Sequence, residues 1–201
     1  MGIAGGTASG KTTVCEEIFK NVRVGTQYKE CCMIPLDCFY KECTDAQMAD
    51  IGNVNFDHPQ IFDWDLLKQT LNDLREGKDV LLPDYDYKTC KRKEPGLLRK
   101  WAPLVLFEGI FALLDNEINT KFLDFKIFVL TDDDVRLARR IKRDIVERGR
   151  KVEGVLKSFH KYVKPAHIEF VRPTMKYADL IVPRGRPMES ERNKIAIDFI
   201  V

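Results

Sequence analysis

Histidine is scarce in this 201-residue chain, with only His58, His160 and His167. The six cysteines (Cys15, Cys31, Cys32, Cys38, Cys43 and Cys90) include no C-x-x-C pair. Together these counts argue against a structural zinc site and leave reduced thiols of a cytosolic protein as the expectation. No apolar run approaches the roughly 20 residues that span a bilayer, and no signal peptide is visible. The chain is therefore expected to be cytoplasmic, without a membrane partner. An excess of one charge is also missing. Lys and Arg number 33 against 31 Asp and Glu, a net +2, so there is no bulk basic signal for nucleic acid. Repeats and low-complexity linkers are absent, and the length suits one domain, 1–201, better than two.

What is present starts at residue 5. Gly5-Gly6-Thr7-Ala8-Ser9-Gly10-Lys11-Thr12 is the phosphate-binding pattern G-x-x-x-x-G-K-[ST], followed by Thr13. The glycines let successive N–H groups point into one concavity that holds phosphate oxygens. Lys11 reaches the terminal phosphates, Thr12 offers a hydroxyl to Mg²⁺, and the following helix adds its positive end. A short apolar start before the loop and the helical pattern of Val14, Ile18 and Phe19 after it are the context this motif needs.

Short apolar runs alternate with amphipathic stretches, which predicts an α/β fold: a parallel sheet flanked by helices, of the P-loop NTPase kind. Strands are expected at 32–36, 104–107, 126–130 and 179–182, and helices after the loop and at 64–75, 133–147 and 152–163. The segment 79–102 breaks this rhythm with Pro83, Tyr85, Tyr87, Pro95 and the basic cluster Lys88, Lys91, Arg92 and Lys93, and reads as a projecting β-hairpin. The chain starts four residues before the loop and ends in the apolar run 195–201, which looks like the start of a helix, so both edges read as trimmed.

Two strands run into acids. The run 104–107 ends at Glu108, where P-loop enzymes place a carboxylate beside the metal. The run 32–36 ends at Asp37, the best-placed residue to accept the proton of an attacking hydroxyl and itself close to the metal. On the helix 133–147, Arg136, Arg139, Arg140 and Arg143 share a narrow arc opposite Leu137, Ala138, Ile141 and Ile145, and Arg148 and Arg150 flank Gly149. Such a helix can act as a lid over a transferring phosphoryl group. Within it, Arg136 and Arg139 are expected to serve ordinary surface salt bridges.

These segments resemble the uridine–cytidine kinases of the phosphoribulokinase/uridine kinase group. Besides the phosphate loop, the resemblance is carried by Asp37-Cys38-Phe39-Tyr40, Asn55-Phe56-Asp57-His58-Pro59, Pro83-Asp84-Tyr85-Asp86-Tyr87, Leu106-Phe107-Glu108-Gly109-Ile110, Glu147-Arg148-Gly149-Arg150 and Val163-Lys164-Pro165, in order along essentially the whole chain. It implies ATP- or GTP-dependent, Mg²⁺-assisted phosphorylation of a pyrimidine ribonucleoside 5′-hydroxyl by a cytoplasmic homo-oligomer, typically a tetramer. By position Asp37 corresponds to the catalytic base, with Lys11 and Arg143 as catalytic partners. Thr12, Glu108 and Asp37 fall at the metal side, and residues 5–13 with Arg148 at the nucleotide. Asp57 corresponds to the ribose-binding carboxylate, and Tyr40, Phe56, Tyr85, Tyr87, Arg140 and Arg150 to the substrate side.

Three positions depart from the family pattern: Cys90 replaces a base-reading histidine, Ser158 a glutamine, and Pro187 an aspartate on the adenine side. The expected consequence is a relaxed or shifted base preference. Two other readings stay open, a kinase for another small hydroxyl substrate and a weakly catalytic nucleotide-binding homologue. A guanine-nucleotide switch is disfavoured, because no N-K-x-D segment occurs.

Overall fold

The structure is a computed structural model that describes residues 1–25, 30–183, 196, 197, 199 and 200. Strand β1 (Gly2–Gly5) leads through the phosphate loop into α1 (Lys11–Gly25), β2 (Cys31–Pro35) and the short α2 (Asp45–Ala49). Then come α3 (Trp64–Arg75), the hairpin strands β3 (Val80–Asp86) and β4 (Lys91–Arg99), β5 (Leu104–Glu108), α4 (Asn116–Lys121) and β6 (Lys126–Leu130). The helices α5 (Asp133–Val146) and α6 (Val152–Ser158) precede the last strand, β7 (Leu180–Pro183). The expected strands are present with boundaries displaced by a residue, 32–36 as Cys31–Pro35 and 179–182 as Leu180–Pro183, whereas the helix expected at 152–163 is α-helical only to Ser158 and continues in π-helical turns. Pro187 and most of 195–201 lie outside the described residues.

The five-stranded sheet is parallel and ordered β2-β5-β1-β6-β7. Side chains alternate between its faces, as strand geometry demands. Ile3, Leu106, Ile127 and Val129 pack with Val14 and Ile18 of α1, whereas Ala4, Phe107 and Phe128 join the larger core under α3. Helix α3 is capped by Asp63, whose side chain accepts from Leu66 N at 3.2 Å, and it buries Leu67, Leu71 and Leu74 at helical spacing.

β1 sits between β5 and β6, and the chain leaves it first toward β2 and later toward β6. A parallel sheet binds ligands outside the carboxyl ends of its strands where the winding reverses. The phosphate loop, Asp37, Glu108 and Thr131 all follow such ends.

The segment 79–102 is an antiparallel hairpin, with Tyr85 opposite Arg92 and a register shift between Leu82 and Asp84 at Pro83, which cannot donate to the ladder. Arg92 pins it to the body, donating from Nε to Tyr40 O at 3.1 Å and pairing through Nη2 with Asp63 at 3.1 Å. After α6 the helical run continues to Val171 with π-helical turns at Phe159–Val163 and His167–Val171. Pro165 and Pro173 follow these turns closely, and each removes one N–H donor from the ordinary α pattern.

Candidate active site

The phosphate loop closes on itself through Ser9 N to Gly6 O at 3.1 Å and Lys11 Nζ to Gly6 O at 3.2 Å. Lys11 is buried although charged. Gly5 has φ +151°, and a Cβ there would sit 2.5 Å from Val129 O, a backbone atom that cannot yield. Gly5→Ala should therefore cost at least about 2 kcal/mol of stability, read as a lowered urea midpoint, together with weakened nucleotide binding. Thr12 Oγ1 donates to Glu108 Oε1 at 3.2 Å, which joins the loop to the end of β5. Burial pushes the Glu108 carboxyl up, and Lys11 opposes that shift. Thr13 is exposed on α1.

Asp37 lies in a single 3₁₀ turn, Leu36–Phe39, directly after β2, and Tyr87 Oη donates to its Oδ2 at 3.4 Å. That contact brings the hairpin over the carboxylate. Arg148 lies over the Tyr87 ring, 5.2 Å from its centroid, in a cation–π arrangement. Tyr40 is buried in an aromatic group with Phe62 at 4.4 Å, Tyr85 at 5.2 Å and Phe56 at 6.1 Å between ring centroids. Its hydroxyl donates to Phe56 O at 3.2 Å, which holds the Asn55-Phe56-Asp57 strip in place.

Asp57 is nearly buried, and desolvation raises its carboxyl pKa, while Arg140 draws it back down. Arg140 spans the site: Nη1 lies 3.8 Å from Asp57 Oδ1 and donates to Thr7 Oγ1 of the phosphate loop at 3.1 Å. One guanidinium thus links the two halves of the cleft.

The arginine helix turns its polar face inward. Its buried stripe is Arg136, Arg140 and Asp144 at i, i+4 and i+8, while Ile145 is 37% and Val146 75% exposed. The polar side turns inward because its hydrogen-bond partners lie there. Arg139 Nη1 donates to Ser9 O at 3.4 Å. Arg136 does pair through Nη2 with the exposed Asp133, but its own guanidinium is no surface group: it is 1% exposed and donates from Nε to Thr131 O at 3.2 Å. Its guanidinium lies against Gly6, where a Cβ would stand 2.5 Å from Nη1.

Asp144 is the main residue that sequence reasoning missed. It is 0% exposed and receives Arg143 at 2.9 Å, Arg140 and Arg150 at 3.5 Å and Arg148 at 3.7 Å. The available signal was its spacing, four residues after Arg140 and four before Arg148.

Cys90 is buried in the hairpin turn at φ +53°, its Sγ donating to Tyr87 O at 3.8 Å and its carbonyl accepting from Cys43 N at 3.1 Å. Ser158 ends α6, half-buried. The basic cluster of the hairpin is partly engaged within the fold, through the Arg92 bonds and a Lys93–Asp86 pair at 3.2 Å. All six cysteines are unpaired thiols. Among the described residues no helix is long and apolar enough to cross a membrane, and no group of three His, Cys, Asp or Glu side chains converges as a metal cage.

The site thus sets a phosphate cradle with a buried lysine beside two carboxylates, a mostly buried third carboxylate, an aromatic wall and four arginines around one acid. A family model described as the phosphoribulokinase / uridine kinase family matches residues 1–190. Uridine-cytidine kinase B of Dictyostelium discoideum is 44% identical over 201 residues, covering 100% of this chain and 79% of that protein. The uridine kinase of Halobacterium salinarum is 40% identical over 200 residues, covering 100% of this chain and 84% of that protein. A solved structure described as a possible uridine kinase from Bacillus stearothermophilus shares the fold, with TM-score 0.63 at 21% identity over 90% of this chain and 85% of that one. The chain belongs to the phosphoribulokinase / uridine kinase family.

Proposed function

We propose that this protein is a ribonucleoside kinase that transfers the terminal phosphoryl group of ATP or GTP to the 5′-hydroxyl of uridine or cytidine. The observation that carries this reading is Arg140, held between Thr7 of the phosphate loop and the mostly buried carboxylate Asp57. A charged carboxylate at the acceptor side suits the two vicinal hydroxyls of a ribose, which donate to its oxygens. It disfavours a phosphorylated acceptor, which would bring like charge to a buried acid. The engagement of Arg92 and Lys93 within the fold also leaves less of the hairpin's basic cluster for such an acceptor.

In this reading the backbone N–H groups of residues 5–13 and Lys11 hold the nucleotide phosphates. Asp37 accepts the proton of the attacking hydroxyl, and the positive charge of Arg143 and Arg148 compensates the phosphoryl oxygens. The Thr12 hydroxyl and the Glu108 carboxylate, already 3.2 Å apart, form an oxygen pair of the kind Mg²⁺ takes when phosphates supply other ligands. When bound, that ion neutralises phosphate charge; Asp37 is near enough to act on Glu108 electrostatically and to support it. Tyr40, Phe56, Tyr85 and Tyr87 form the flat wall against which a base packs, and Arg150 and Ser158 complete the substrate side. The working form is a cytoplasmic homo-oligomer of one kinase domain with 79–102 inserted as a hairpin; light scattering of the purified protein checks the assembly.

A panel of ribonucleosides with ATP and Mg²⁺, read by product mass, tests the activity; absence of any nucleoside monophosphate product refutes it. Base selection is the second test. The Cys90 thiol is a weak hydrogen-bond partner and is engaged on the hairpin's own carbonyl. Cys90→His should raise discrimination for pyrimidine over other ribonucleosides by roughly 5–150-fold, the equivalent of about 1–3 kcal/mol for a regained polar contact. Wild-type protein already as selective as the histidine variant would remove Cys90 from base reading.

A further inference from the structure

Two buried atoms next to the site have complementary unmet needs. Arg136 Nη1 is a donor without a partner, and His167 Nδ1 is likewise unpartnered. With the proton on Nε2, Nδ1 is an acceptor. Buried polar atoms are normally satisfied by protein or by ordered water, so both of these call for a partner. Their positions supply one. Arg136 stands directly behind Gly6 of the phosphate loop, held by Thr131 O and Asp133. His167 lines a small cavity of about 10 Å³ together with Thr7, Asp57, Val163 and Ala166, on the acceptor side of the cleft. It also opens a π-helical turn, His167–Val171, and such turns concentrate at functional sites. One group therefore backs the nucleotide half of the site and the other walls the acceptor half.

We propose that Arg136 and His167 are positioning residues that couple the acceptor side of the cleft to the phosphate loop. Acceptor binding at Asp57, which borders the His167 cavity, shifts the His167 turn so that Nδ1 accepts from Arg136 Nη1, and the new bond stiffens the loop behind Gly6. This rests on the reading of the pocket beside Asp57 as a ribonucleoside site. The coupling is reciprocal: acceptor binding tightens nucleotide binding by the same factor that nucleotide tightens acceptor binding. Burial, and after it the charge of Arg136, hold the imidazole down at about 4, which keeps it neutral and able to accept. The direct Arg140 bridge between Thr7 and Asp57 is a separate link and stays intact in the variants that test this one.

The experiment is calorimetric titration of the full chain with a non-hydrolysable ATP analogue and Mg²⁺, with and without saturating uridine. The quantity read is the ratio of the two nucleotide affinities. A variant that merely loosens the fold lowers both affinities and leaves the ratio alone, and a uridine titration of each variant sets the saturating concentration, so that a collapsed ratio is not lost acceptor binding. In wild-type protein uridine should tighten nucleotide binding at least about fivefold, the lower end of ordinary coupling. His167→Phe removes the acceptor atom and should bring the ratio below about twofold. His167→Gln, whose amide oxygen still accepts, should keep most of it. Arg136→Lys retains the charge but not the fork and should also lose the ratio, which tests the idea independently if His167→Phe does not fold. An unchanged ratio in either His167→Phe or Arg136→Lys overturns the proposal, as does equal loss in His167→Gln. Wild-type protein that binds uridine with no effect on nucleotide overturns the coupling alone. Wild-type protein that binds no ribonucleoside overturns the acceptor reading along with it.

Discussion

Asp37→Asn is expected to lower turnover by about 10²–10⁴-fold, the range that a positioned general base contributes, while uridine still binds. Asparagine keeps the shape and the acceptor oxygen that Tyr87 Oη reaches at 3.4 Å, so the hairpin stays docked. It loses the basicity that takes the hydroxyl proton. The carboxylate is well placed for that task because a 3₁₀ turn directly after β2 presents it at the carboxyl edge of the sheet, beside the phosphate loop. Steady-state turnover paired with uridine affinity by calorimetry checks the prediction. A fall in affinity that accounts for the whole loss would make Asp37 a binding residue instead. Turnover equal to wild type would place the base elsewhere.

Asp144→Asn is expected to be the most damaging single change outside the phosphate loop. The carboxylate is fully buried, and Arg140, Arg143, Arg148 and Arg150 all converge on it. Removing one partner from a buried ionic group leaves uncompensated charge, at a cost of about 3–5 kcal/mol. Here Arg143, Arg148 and Arg150 lose their shared acid and Arg140 keeps only Asp57, so the four guanidinium groups repel one another with less to offset them. Arg140 would be drawn off Thr7, and Arg148 off the Tyr87 ring, so turnover should fall with stability. Arg150→Met provides the contrast. Its side chain is 42% exposed and 3.5 Å from Asp144, and a pair of that kind contributes at most about 1 kcal/mol. Urea midpoints of the two variants, compared with wild type, decide the matter. An Asp144→Asn midpoint no lower than that of Arg150→Met would show that the cluster is held by packing and not by this acid.

Much of the fold is legible in the sequence, for local reasons. Alternating apolar runs and helical spacing announce a parallel α/β sheet, and Asp63 and the spacing of Leu67, Leu71 and Leu74 mark α3 by themselves. The hairpin is readable because Pro83 and Pro95 interrupt the α/β rhythm. The orientation of α5 is not. Periodicity separates two faces of a helix but does not say which one finds partners. The apolar face is the natural choice for burial, yet the carbonyls of Ser9 and Thr131 and the carboxylates of Asp57 and Asp144 lie on the other.

The sequence by itself determined the phosphate cradle. The motif works through its own backbone, so the spacing of Gly5, Gly6, Gly10, Lys11 and Thr12 contains most of its geometry. It also determined the acids at strand ends, because a parallel sheet carries the end of every strand to one edge. Only the tertiary structure decided what stands behind and across that cradle. The place of Arg136 beneath Gly6, the bridge of Arg140 from Thr7 to Asp57, and the burial of Asp144 among four arginines join residues far apart in the chain. The worth of a charged group depends on the dielectric and the partners around it, and these exist only once the chain has folded.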